Sequence, residues 1–152
     1  MSPVERLEAI EAIRILKADY FLHTDHQRWD ELAALFAPGA ETDFREATGR
    51  HDPALLMHDP AAFAANNARV LAGVTTMHIG SMPRIAFEDG DHAAAVWSME
   101  DWLWIPPGGL LPAGAMHGWG HYHDRYVRLR GAWKIAATRL TRTRFDFAPA
   151  EA

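Results

Sequence analysis

An α+β domain is what this sequence predicts, and three observations point to it. Apolar residues recur at helical spacing near the N-terminus, the second half reads as long β-forming runs broken by hairpin turns, and no Pro/Gly/Ser-rich linker separates the two. Helices followed by a long antiparallel meander place the helices against one face of a sheet. A strongly curved antiparallel sheet of this kind wraps its N-terminal helices as a cone, with a pocket between sheet and helices open at one end. The 152 residues suit one domain with one core, spanning 1–152.

The first helix is expected from Val4 to about Leu22. Leu7, Ile10, Ile13, Leu16 and Tyr20 fall along one side, with Glu8, Glu11, Arg14 and Lys17 on the other. A second helix is expected at about His26–Phe36, with Trp29, Leu32, Leu35 and Phe36 inward, ended by Pro38-Gly39. Thr42–Thr48 reads as a short strand. Asp52–Leu71 is alanine-rich and broken by Pro53 and Pro60, so it reads as one or two short helices, with Asp59 before Pro60 as a helix start.

The β half follows. Val74–Phe87 is a strand, Glu88-Asp89-Gly90-Asp91 a hairpin turn, and His92–Ile105 the returning strand. After a Pro/Gly loop from Pro106 to about Ala115, His117–Arg130 is a third strand. Gly131 turns it into a fourth, Trp133–Phe147.

Composition narrows the function. The formal net charge is −5 with no basic stripe, which argues against nucleic acid and anionic membrane surfaces as partners. The absence of cysteine removes thiolate nucleophiles, disulfides and zinc–thiolate sites. The N-terminus lacks an apolar signal core and no apolar run approaches spanning length, so a cytoplasmic protein with no membrane association is expected.

Several polar residues sit where chemistry could use them. Tyr20 and Asp25 lie five residues apart at the end of the first helix. Asp25 reads either as the cap of the second helix or as a functional carboxylate; Tyr20 reads as a core aromatic or as a proton donor. His78 lies mid-strand in an apolar stretch. A histidine facing a cavity and paired with a carboxylate keeps one ring nitrogen as N–H and the other basic, and such a dyad removes protons near neutral pH.

Alternation puts Trp97, Met99, Asp101 and Leu103 on one strand face, where Asp101 is either an edge charge or a desolvated carboxyl suited to acid work. His121 and His123 share a face opposite Tyr122, Asp124 and Tyr126. A pair of strand histidines without a third spaced ligand is not read as a metal site. Arg139, Arg142 and Arg144 end the last strand, mostly as a solvated face from which one could point inward to hold an oxyanion or carboxylate.

Taken together, these segments resemble the SnoaL-like members of the nuclear transport factor 2-like superfamily. The resemblance rests on Ile13-Arg14-Ile15-Leu16-Lys17-Ala18-Asp19-Tyr20, Asp25 and Trp29–Phe36 in the opening helices. It continues through Thr76-Met77-His78, Gly120-His121-Tyr122-His123-Asp124-Arg125-Tyr126 and Gly131-Ala132-Trp133-Lys134-Ile135. It covers nearly the whole chain.

The resemblance is closest to the lyase branch that includes scytalone dehydratase and bile acid 7α-dehydratase. It implies a His78–Asp25 base, with Tyr20 as the third catalytic residue and Asp101, Arg139, Tyr122 and Trp29 binding substrate; Arg142 is the alternative to Arg139. The dehydrochlorinase of this branch carries lysine at the position of Tyr20, which argues against dehalogenation. The implied activity is a cofactor-independent, metal-free elimination on an apolar, ring-containing small molecule. An isomerase or polyketide cyclase using the same dyad, and a non-catalytic binding module, are the alternatives. A homo-oligomer, dimer or trimer, joined through the outer sheet face is also implied.

Overall fold

The computed structural model describes residues 1–150. A long helix α1 (Pro3–Asp25) and a short helix α2 (Trp29–Ala34) lead into strand β1 (Phe36–Asp43). A 3-10 turn (Pro53–Leu55), strand β2 (Leu56–Met57) and helix α3 (Pro60–Val70) follow. Strands β3 (Thr75–Phe87), β4 (His92–Ile105), β5 (Gly114–Leu129) and β6 (Ala132–Pro149) complete the chain. The six strands form one curved, unclosed sheet in the order β2-β1-β6-β5-β4-β3, antiparallel except for the parallel pair β1–β6.

Helix α1 begins one residue earlier than the apolar pattern suggests, because Ser2 and Glu5 form a reciprocal capping box ahead of Pro3. It also runs on to Asp25, so Asp25 closes α1 instead of capping α2, whose N-cap is Arg28. The second helix is correspondingly shorter than the pattern predicts. The segment from Phe36, expected to be its end, instead starts a strand that adds to β6.

Two further departures concern the face of α1. Ile13, Leu16 and Tyr20 are buried as expected, but Leu7 is exposed; in the first turns Ala9 is the buried residue and Arg6 lies over the Phe87 ring of β3. Lys17, assigned to the solvent side, is buried. Its ammonium lies 2.8 Å from Asp124 Oδ2 and 3.7 Å from the Tyr122 ring centroid. Asp124 also accepts from the Tyr126 and Thr138 hydroxyls, so the ion pair sits in a polar knot inside an apolar core.

The core is in two parts. The larger joins α1, Leu32, Phe36 and Phe63 to Trp97, Met99, Tyr122, Tyr126 and Leu140; the smaller joins Leu71 and Val74 to Leu103, Ile105 and Met116. Gln27, at φ 54°, donates its side-chain amide to the carbonyls of Leu71 and Val74. This clamp ties the end of α1 to the start of β3, and so brings Asp25 against the strand that carries His78.

Candidate active site

Between the helices and the inner sheet face lies a cavity of about 160 Å³. Its wall is mostly apolar, with Phe44, Leu55, Phe63, Leu103, Met116 and Leu140 among the contributors, and a few polar groups converge on it: Tyr20, Thr24, Asn66, Asn67, His78, Asp101, Tyr122 and Arg142. A concave apolar site with sparse, directed polar groups is the usual form of a small-molecule site.

His78 and Asp25 meet. His78 Nδ1 lies 2.6 Å from Asp25 Oδ1, and the His78 backbone N–H donates to Asp25 Oδ2 at 3.0 Å. Thr76, two residues before His78 and on the same strand face, donates its hydroxyl to Asp25 Oδ1 at 2.8 Å. Partial burial alone would raise the Asp25 carboxyl pKa. The hydrogen bonds and charge of His78, with the Thr76 bond, outweigh it and hold the carboxyl below its ordinary value. With Nδ1 engaged by Asp25, the other ring nitrogen, Nε2, is left for the cavity that His78 lines. Phe21 stacks parallel to the imidazole at 6.2 Å between centroids, in space left open by Gly80, where a Cβ would strike the Phe21 ring.

Tyr20 and Tyr122 line the same cavity, their rings edge to face at 5.8 Å. Burial pushes both hydroxyls well above the usual phenol range, with nearby carboxylates, Asp124 first among them for Tyr20, adding to it. Both are therefore protonated donors at neutral pH.

Asp101 faces inward and is buried. Arg142 grips it through two bonds, Nη1 to Oδ1 at 2.7 Å and Nη2 to Oδ2 at 2.8 Å, while Arg142 Nε donates to the Ala47 carbonyl at 3.0 Å. A carboxylate clamped in this way accepts hydrogen bonds and is not placed to deliver a proton. Gly118 makes the pair possible, because a Cβ there would collide with the Arg142 guanidinium and the Asp101 carboxylate.

Two of the expected binding residues lie elsewhere. Arg139 faces the outer side of the sheet, its side chain 62% exposed and 3.9 Å from Asp43. The cause is an irregularity in the β5–β6 pairing between Tyr126↔Ile135 and Arg125↔Ala137, which leaves Ala136 as an extra residue. The bulge shifts the inward set from Trp133 and Ile135 to Thr138, Leu140 and Arg142. Trp29 packs against both hydrophobic clusters and is not part of the cavity wall. His121 and His123 are exposed on the outer face, and no cluster of three metal-ligating side chains occurs among the described residues.

Residues missed at first left some trace. Thr76 shares the period-two face of His78, and a glycine inside a strand, such as Gly118, marks a close approach. Asn66 and Asn67 on α3 left none, since polar helix residues ordinarily face water.

The fold and this cavity define a class: a helix-lined, half-open sheet holding one buried small-molecule pocket. The chain belongs to the SnoaL-like domain family, whose model matches residues 5–139. Solved structures agree in fold. A type 2 hexachlorocyclohexane dehydrochlorinase superposes with a TM-score of 0.82 at 19% identity, covering 99% of this chain and 95% of its own. A candidate scytalone dehydratase from Novosphingobium aromaticivorans gives 0.80 at 21% identity, with 99% and 95% covered. The type 3 dehydrochlorinase from Novosphingobium barchaimii gives 0.79 at 18%, with 97% and 94% covered.

Proposed function

We propose that this protein is a cofactor-independent lyase that carries out a dehydratase-type α,β-elimination on a small, apolar, ring-containing molecule. The observation that carries the reading is the His78 Nδ1–Asp25 contact of 2.6 Å at the edge of a mostly apolar cavity. Asp25 fixes the ring and stabilises the imidazolium that forms when Nε2 takes a proton from carbon next to an activating group. Tyr20, kept protonated by burial, donates to the leaving hydroxyl or to the developing enolate oxygen. Tyr122 and the Asp101–Arg142 pair hold the substrate's polar end; four of the five guanidinium N–H groups are used internally, by the Ala47 carbonyl, Met99 Sδ and the two Asp101 oxygens, which leaves one on Nη2.

Cavity size restricts the substrate. An apolar cavity of about 150 Å³ admits benzene, so about 160 Å³ accommodates roughly one six-membered ring, and larger molecules project through the mouth. The neighbouring structures include enzymes described as a dehydratase and dehydrochlorinases, which supports an elimination over other uses of the fold.

The test is a screen of hydroxylated cyclic ketones by mass spectrometry, followed by His78→Ala on the substrate found. Loss of water from the substrate and a fall in rate of about 10²–10⁴ are expected. A product of unchanged mass would mean an isomerase or cyclase, and activity kept within about tenfold would remove the general base.

A further inference from the structure

A second concavity, of about 550 Å³, lies on the outer face of the sheet, on the opposite side from the His78 cavity. Arg84, His123, Arg125 and Arg139 line it. Its construction can be read from the strand register. Arg84, Val96, His123 and Arg139 form one cross-strand row over β3, β4, β5 and β6. The next row runs Ala86, Ala94, Arg125 and Ala137. Three alanines where neighbours carry long side chains make the floor, and the long cationic side chains make the walls.

Backbone irregularities flank it on both sides. The β3–β4 register shifts between Ser81 and Arg84, with Met82 at φ 48°, and β6 carries its bulge at Ala136. Such bulges bend and twist a sheet locally.

The charge in this groove is not spent within the chain. Among the described residues Arg84 and Arg125 make no ion pair. Arg139 lies 3.9 Å from Asp43, whose carboxylate is already held by Arg45 at 2.8 and 2.9 Å. Asp124 lines the groove only from below, since its carboxylate is buried with Lys17. Glu41 is the one carboxylate at the groove's outer edge, 3.8 Å from His58. His123 bonds the Thr141 hydroxyl at 3.0 Å. Three guanidinium groups thus share one concave surface on a protein of net charge −5.

We propose that this groove binds a small molecule carrying two or more oxyanionic groups, of the diphosphate or polycarboxylate class. Guanidinium groups recognise such oxygens in bidentate fashion. Arg84 and Arg139 stand three strand spacings apart, roughly 14 Å between backbones, with Arg125 between them, which favours a ligand with more than one anionic group. The proposal is independent of the reaction assigned to the inner cavity. It gives a role to Arg139, which faces away from that cavity.

The probes are pyrophosphate and citrate, titrated calorimetrically into the full chain at a fixed ionic strength of about 0.15 M. Saturable binding at one site per chain is expected, weakened about tenfold or more in Arg84→Ala/Arg139→Ala and in Arg125→Gln. Arg14→Ala, on the far side of α1, should leave it unchanged. All four arginines are exposed, and unchanged circular dichroism checks the fold. Absence of saturable binding, equal affinity in the groove variants and wild type, or binding that disappears as the chain self-associates would each overturn the proposal.

Discussion

His78 takes its candidate role from its neighbours. Asp25 receives three hydrogen bonds, from the imidazole, from the His78 amide and from Thr76, and this fixes the ring's orientation from two directions at once. The arrangement has a pH signature. Because the folded-state pKa of Asp25 is depressed, its contribution to stability is complete above its unfolded value, near 3.8, and is lost as pH falls through the lower folded value. The stability gap between wild type and Asp25→Asn, followed by denaturant unfolding, should therefore be full above about pH 4 and close below it. A gap that stays constant through the acid range would mean that Asp25 is not held as described.

Much at this scale was legible beforehand. Asp25 and His78 stood out because polar residues interrupt apolar patterns there, whereas Tyr20 continues the apolar side of α1 and was singled out by the family resemblance. Lys17 did not: it stands four residues after Ile13 and three before Tyr20, on their face of α1, but a lysine ordinarily reads as solvent-facing and nothing local announces Asp124, the distant carboxylate that receives its ammonium.

Strands were readable as elements, while the irregularities inside them were not. The ends of β4 coincide with the expected strand, and those of β3 and β5 fall within a few residues of it, because β-forming runs are bounded by clear turns. Alternation in β4 correctly grouped Asp101 with Trp97 and Met99. In β6 the same reasoning fails after Ala136, since one unpaired residue exchanges the two faces, and this decides between Arg139 and Arg142. Strand glycines carry the complementary information. Gly118→Ala would push a methyl group into the Arg142–Asp101 pair. It is expected to cost about 1–3 kcal/mol, a drop of several degrees in thermal melting at roughly 2–4 °C per kcal/mol. An unchanged melting temperature would show that the pair is not packed against Gly118 as described.

For the molecule as a whole, the family and the α+β architecture followed from element order and the quoted segments, and the model matching residues 5–139 agrees with both. Cavity size was not legible, because it depends on side chains from helices and strands together. No helix among the described residues is long and apolar enough to cross a membrane.

The outer face has two distinct ends. One carries the basic groove. The other carries a stack of Trp104, Trp102, His117 and Trp119, with Met77 and Ile79 exposed on neighbouring β3. An aromatic surface of this kind fits the proposed homo-oligomer. Sedimentation velocity should show a dimer or trimer that Trp104→Asp shifts toward monomer; a wild-type monomer at all concentrations would rule out that contact.

The most direct measurement is the nitrogen-15 spectrum of the His78 ring near neutral pH, in wild type and in Asp25→Asn. A ring carrying a proton on Nδ1, strongly deshielded and lost in the variant, is the expected result. A ring protonated on Nε2 alone, or a spectrum indifferent to the substitution, would contradict a base prepared by Asp25.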